Sequence, residues 1–178
     1  GVLQTQPSAT NIASAGWTNL GTTIGLFGQS GSIKYNYFDG KIDQLRIFDK
    51  AISEEDVATL YAETSSTASN TNPFSEGSGV ALYTMDYDAS EASGYYYCTP
   101  TNVEFGVAGK INYGARFNGS SKIVVNKNVF TNTNVFSLSI WFKTDGTVST
   151  TQFLMDSTGG ANSGFQFYIT NSKLKFFN

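Results

Sequence analysis

Apolar and polar residues alternate most clearly in the second half of the chain. In residues 136–143, FSLSIWFK, every second side chain from Phe136 to Phe142 is apolar, and residues 165–170, FQFYIT, alternate in the same way. A period of two predicts strands with one face in a core and the other partly in water. The segments NGSS, TDGT and STGGANSG between such runs have turn residues. We therefore predict an all-β fold, an antiparallel β-sandwich or jelly roll.

One short helix interrupts this pattern. Ser53 supplies an N-cap, and the acidic residues EED that follow it stand at the positive end of the helix dipole. Val57, Leu60 and Tyr61 fall on one helical face. The sequence therefore predicts a helix of about two turns that packs by one side.

A low-complexity segment divides the chain. Residues 64–79, TSSTASNTNPFSEGSG, have the composition of a linker and no periodicity. Three strand-like runs precede it, at 2–4, 22–27 and 41–48. We therefore place a domain boundary in the linker, with residues 1–63 on one side and 80–178 on the other.

Composition supports the all-β prediction and limits the partners. The chain of 178 residues has 14 Phe, 10 Tyr and 18 Gly but only 14% charged residues, which favours strands and turns over helices. The net charge is −3 and no cluster of Lys or Arg occurs, so we expect no nucleic acid partner. No apolar run approaches the roughly 18 residues of a membrane span, so we expect no membrane insertion.

The absence of histidine and the presence of only one cysteine argue against common catalytic sites. The chain has no histidine, and its single cysteine, Cys98, has no partner for a disulfide or a zinc site. Glycosidases need two carboxylates about 5–10 Å apart, and no closely spaced acidic pattern occurs on a predicted strand. We expect a protein that is not an enzyme.

Several stretches carry a resemblance to a known family. Residues 81–105, 109–125 and 136–147 together resemble the opening half of a laminin G-like domain of the concanavalin A-like lectin/glucanase superfamily, with FNGSSKIVV and FSLSIWFK as its strands. Residues 37–61, YFDGKIDQLRIFDKAISEEDVATLY, resemble the closing half of such a domain. The resemblance implies a concanavalin A-like jelly roll and a tandem array, with the C-terminal half of one sandwich at 1–63 and the N-terminal half of the next at 80–178.

Neither half is a complete sandwich, so each needs a partner for its apolar faces and strand edges. Three arrangements provide one: the remainder of a longer chain, a neighbouring copy that contributes strands, or folding of the two halves onto each other. We favour the first. Strand complementation between copies is the second and would make a polymer.

The resemblance also suggests a Ca²⁺ site, because related domains hold this ion with carboxylates and carbonyls. The candidate ligands are Asp43, Asp86 and Asp88, whereas Glu91 stands where the family usually has an Asp. Asp43 has the strand parity of Leu45, which predicts a place on the apolar face. The alternative is structural: Asp43 binds backbone amides in a tight bend, and the other two acids are solvated turn residues.

Aromatic residues are the candidates for carbohydrate binding, because sugar C–H faces stack on flat rings. Tyr95, Tyr96 and Tyr97 lie in one predicted loop, and Trp141 shares a strand face with polar residues. The alternative is packing, in which Tyr95 and Tyr97 point inward and Trp141 lies under a crossing loop. Asn118 begins a glycosylation sequon, NGS, which is also a hairpin turn.

These observations lead to two functional hypotheses. The first is a noncatalytic extracellular or virion-surface module for adhesion that binds a glycan or cell-surface receptor. The second is a structural fibre subunit assembled by strand complementation between copies. An adhesin should present the tyrosine loop and Trp141 in a concave patch, whereas a fibre should bury strand edges between copies over more than roughly 1,000 Å².

Overall fold

A computed structural model describes residues 21–27, 36–65, 73–74, 76–127, 129–130, 135–158 and 164–177. The predicted strand at 2–4 lies outside these residues. The elements are β1 Thr22–Ile24, β2 Leu26–Phe27, β3 Asn36–Tyr37, β4 Asp39–Phe48, α1 Glu54–Ala62, β5 Gly79–Tyr83, β6 Cys98–Thr101, β7 Glu104–Ala108, β8 Tyr113–Asn118, β9 Lys122–Val125, β10 Ser137–Thr144, β11 Gln152–Thr158, β12 Gly164–Thr170 and β13 Lys173–Phe177.

The all-β prediction is confirmed, and the strands pair antiparallel. One sheet has six strands in the order β13-β12-β11-β1-β9-β6. A second sheet has the order β10-β4-β8-β7, with β5 also paired to β4. Strands β2 and β3 form a small third sheet. The alternating runs predicted near 136–143 and 165–170 are β10 and β12.

Strands from before the linker lie inside both large sheets. Strand β1 separates β9 from β11, and β4 pairs with β10 on one edge and with β8 and then β5 on the other. Within this chain the two sections therefore complete each other, which is the third of the arrangements left open by the sequence. The division into parts of two domains, 1–63 and 80–178, stays a prediction.

The two large sheets share one hydrophobic core. It contains Ile24, Ile123 and Phe165 from the six-stranded sheet together with Ile42 and Phe117 from the other. Because apolar residues of both sheets are excluded from water in one cluster, the arrangement is sandwich-like.

The predicted helix forms α1, and Ser53 is its N-cap as expected. The Ser53 side chain accepts a hydrogen bond from Asp56 N, and the Asp56 side chain accepts one from Ser53 N, which makes a capping box. Leu60 is buried, and the helix ends at a C-cap residue, Glu63, that pairs with Arg46 of β4. Among the described residues, no helix has the length and apolar character to cross a bilayer.

Candidate functional site

The loop before β6 is built around a buried carboxylate. Glu91 is almost completely buried and accepts hydrogen bonds from Leu82 N at 3.3 Å and Ser93 N at 3.1 Å. The Ser93 hydroxyl in turn accepts a hydrogen bond from Tyr95 N at 3.2 Å. Glu91 therefore anchors the turn that precedes the three tyrosines, a role that the sequence did not predict.

The packing interpretation placed Tyr95 and Tyr97 inward, but in the structure Tyr96 is the inward residue of the three. Tyr96 is half-buried against the core, whereas Tyr95 and Tyr97 are 60% and 57% exposed. Cys98 begins β6 with its side chain packed on the core, and burial raises its pKa to about 11. Although β6 begins only at Cys98, the residues before it keep the alternation of a strand: Tyr96 packs inward like Cys98, and Tyr95 and Tyr97 are exposed.

A lysine lies between the two exposed rings. Lys127 Nζ is 3.5 Å from the centroid of the Tyr95 ring and 5.8 Å from that of Tyr97. Asn126 N donates to Tyr97 O at 3.0 Å, which fixes the residue before this lysine to the tyrosine backbone. We call Tyr95, Tyr97 and Lys127 the tyrosine–lysine surface.

A cavity lies on the inner side of the same loop. It has a volume of about 370 Å³ and is lined by Tyr96 together with apolar residues that include Val80, Phe130 and Phe136. The loop therefore has two exposed rings on one side and a concave space next to Tyr96 on the other.

The structure does not bring Trp141 to this loop. Trp141 lies on the outer face of the other sheet, where Lys110 Nζ is 4.7 Å from its ring centroid and the Tyr61 ring of α1 is 5.5 Å away. It is half-buried. Its neighbours are thus a helix and a hairpin, and it contributes to a different surface from the tyrosines.

The predicted parity of Asp43 is wrong because β4 contains a bulge. Ser139 pairs with Arg46, but Trp141 pairs with Asp43, so β4 has one extra residue between these two pairs. Gln44 within it has a φ of 49°. The extra residue moves Asp43 from the apolar face of Leu45 to the outer face, which carries Arg46 and Trp141.

Asp43 binds backbone amides, as the structural alternative proposed. Its Oδ2 accepts hydrogen bonds from Lys110 N at 2.6 Å and Ile111 N at 2.9 Å. The turn comes this close because Gly109 has no side chain: a Cβ there would lie 2.6 Å from Oδ2 and 2.3 Å from Tyr113 O. Asp43 is only 3% exposed, and its Oδ1 has no partner among the described residues.

Burial raises the pKa of Asp43 from 3.8 to about 6, and the nearby Asp86 carboxylate contributes to the rise. The native state therefore holds the proton more tightly than the unfolded chain. Native stability should consequently fall as the pH rises from about 4 to 6 and then level off.

Replacing Asp43 by Asn should remove this pH dependence, because the amide oxygen can still accept both backbone bonds without a charge. At pH 8 we expect D43N to be more stable than the parent by up to about 3 kcal/mol. Urea unfolding between pH 4 and 8 checks this, with the exposed Asp88→Asn as control. A D43N variant that keeps the parent's pH profile would contradict the assignment.

The other two acids have local roles. Asp86 Oδ1 accepts a hydrogen bond from Tyr113 N at 3.0 Å, and the exposed Asp88 accepts one from Ser90 N at 2.8 Å. Within the described ranges, no three acidic or thiol side chains converge as metal ligands. Ca²⁺ takes about six to eight oxygens. Asp43 and Asp86 supply part of such a set, so Ca²⁺ binding stays a prediction.

Asn118 lies in the turn that the NGS sequence predicts. Its side-chain oxygen accepts hydrogen bonds from Ser120 N at 3.1 Å and from the hydroxyls of Ser120 and Ser121. Gly119 follows with a φ of 75°. The residue is exposed, and its use as a glycosylation site stays a prediction.

The chain was compared with known proteins, and no family model, no curated protein and no solved structure matches it.

Proposed function

We propose that this protein is a noncatalytic carbohydrate-binding module with the concanavalin A-like, laminin G-like jelly roll that its sequence resembles. It would serve adhesion at a cell or virion surface, with a glycan or glycosylated receptor as partner. The observation that carries the proposal is the exposure of the Tyr95 and Tyr97 rings on a loop held by the buried Glu91 and the half-buried Tyr96. Fixed, exposed rings stack on sugars at little entropic cost.

The expected result of removing these rings is a loss of glycan affinity without a loss of fold. Each of Tyr95→Ala and Tyr97→Ala should weaken binding by about two- to tenfold, since stacking on a ring contributes roughly 0.5–1.5 kcal/mol. A glycan array with the parent chain identifies ligands, and titration calorimetry measures each variant.

Tyr87→Ala is the matched control, because Tyr87 is 71% exposed and its ring contacts that of Tyr113, whereas no contact with the Tyr95 or Tyr97 ring is found among the described residues. Equal losses in all three variants would place binding elsewhere. A parent chain that binds no glycan on the array would overturn the proposal.

A second candidate function is a fibre subunit assembled by strand complementation, and the position of β1 and β4 favours it. Both are central strands, and each comes from the section before the linker. The same pairings could form between copies if the linker passes from one molecule to the next. The test is whether the two sections, produced separately, associate into one folded unit.

A further inference from the structure

The tyrosine–lysine surface contains a cation, Lys127, that pairs with no acidic side chain of the described residues. Its ammonium instead lies over the Tyr95 ring and within 5.8 Å of the centroid of the Tyr97 ring. Aromatic faces hold an ammonium by their quadrupole but do not cancel its charge. The ammonium thus remains available to an anion that approaches the exposed rings.

Polar groups stand beside this cation on the same surface. Thr99 lies in β6, two residues after Tyr97, and its side chain is exposed like that of Tyr97. Asn126 Nδ2 donates to Thr99 Oγ1 at 2.9 Å, and the backbone of Asn126 is fixed to Tyr97. A hydroxyl and an amide oxygen therefore lie next to the rings and the ammonium, where sugar hydroxyls would need partners.

We infer that the ligand of this surface is an anionic saccharide, with a sugar ring on Tyr95 or Tyr97 and its carboxylate or sulfate on Lys127. The inference rests on the carbohydrate-binding function proposed above and adds the ligand class. The chain as a whole carries a net charge of −3, which would disfavour anions at long range. At physiological salt that repulsion is screened beyond about 8 Å, so the Lys127 ammonium has the larger effect on the affinity of this surface for an anion.

The experiment uses the full chain and two pairs of probes that differ in charge. One pair is hexagalacturonate and its methyl ester, and the other is sialyllactose and lactose. We expect the charged member of a pair to bind up to about fivefold more tightly at low salt, and the difference to shrink as salt rises. Lys127→Gln should abolish the difference but keep the affinity for the neutral member, and Lys127→Arg should retain both.

Lys110→Gln is the matched control, because Lys110 also lies over an aromatic ring, that of Trp141. A loss of charge preference in Lys110→Gln but not in Lys127→Gln would overturn the assignment of the surface. Equal affinity for charged and neutral members would overturn the ligand class while the carbohydrate-binding function stands. If no probe binds but the array shows neutral glycans, the ligand class is wrong; if the array is also blank, the proposed function fails as well.

Discussion

Cutting the chain in the linker and separating the two pieces is expected to abolish the fold of the larger piece. The piece that begins at Thr71 would lack β1 and β4. Without β4, strands β5 and β10 lose their only partner strand among the described elements, and without β1 strands β9 and β11 are no longer joined. The expected loss is the whole free energy of unfolding, about 5–15 kcal/mol for a domain.

Circular dichroism and thermal unfolding of the isolated piece check this, and no cooperative transition is expected. A protease site placed in the linker of the intact chain gives the control, because cleavage after folding should leave the two pieces associated. Mixing the separate pieces should restore the transition if complementation can occur between molecules. A cooperative transition in the piece that begins at Thr71 alone would show that β1 and β4 are dispensable.

The second large effect is expected where a buried arginine meets the end of the helix. Arg46 is 1% exposed, and its Nη1 and Nη2 donate to Glu63 Oε2 at 2.6 Å and Oε1 at 2.9 Å. Glu63→Gln would leave the guanidinium buried without a counter-charge. Such a loss costs about 3–5 kcal/mol, so we expect the free energy of unfolding in urea to fall by that amount.

Two further variants separate this effect from a general weakening of the helix. Glu55→Gln changes an exposed helix residue of the same type and should alter stability by less than about 0.5 kcal/mol. Arg46→Met combined with Glu63→Gln removes both charges and should recover much of the loss, since an apolar pair is often tolerated at such a site. A loss of under about 1 kcal/mol in Glu63→Gln alone would mean that water or another group compensates Arg46.

Much of the local structure could be predicted from the sequence because local patterns carry it. The period of two predicted β10 and β12, and Ser53 with the acidic residues after it predicted the start of α1. The NGS sequence predicted the turn at Asn118. Each of these depends on interactions within a few residues, which the order of side chains along the chain determines.

The candidate site was harder to predict from the sequence, because it depends on contacts between segments that are far apart in the chain. The parity of Asp43 was wrong since one extra residue in β4 cannot be seen in the alternation of DGKIDQLRIF alone. Tyr95 and Tyr97 are exposed because it is Tyr96 that packs on the core beside Cys98, which the run of three tyrosines does not show. Lys127 was not among the predicted site residues, because it is a single lysine far from the tyrosines along the chain, with no motif around it.

The sequence by itself determined the all-β class, the single capped helix and the place where the pattern breaks into two sections. Only the tertiary structure decided which strands are neighbours, that β1 and β4 complete sheets formed mainly by later residues, and which aromatic rings share a surface. The physical reason is that strand pairing and core packing join residues far apart in the chain. Their free energy depends on the burial and hydrogen bonds of the assembled sheets, and no local stretch contains that information.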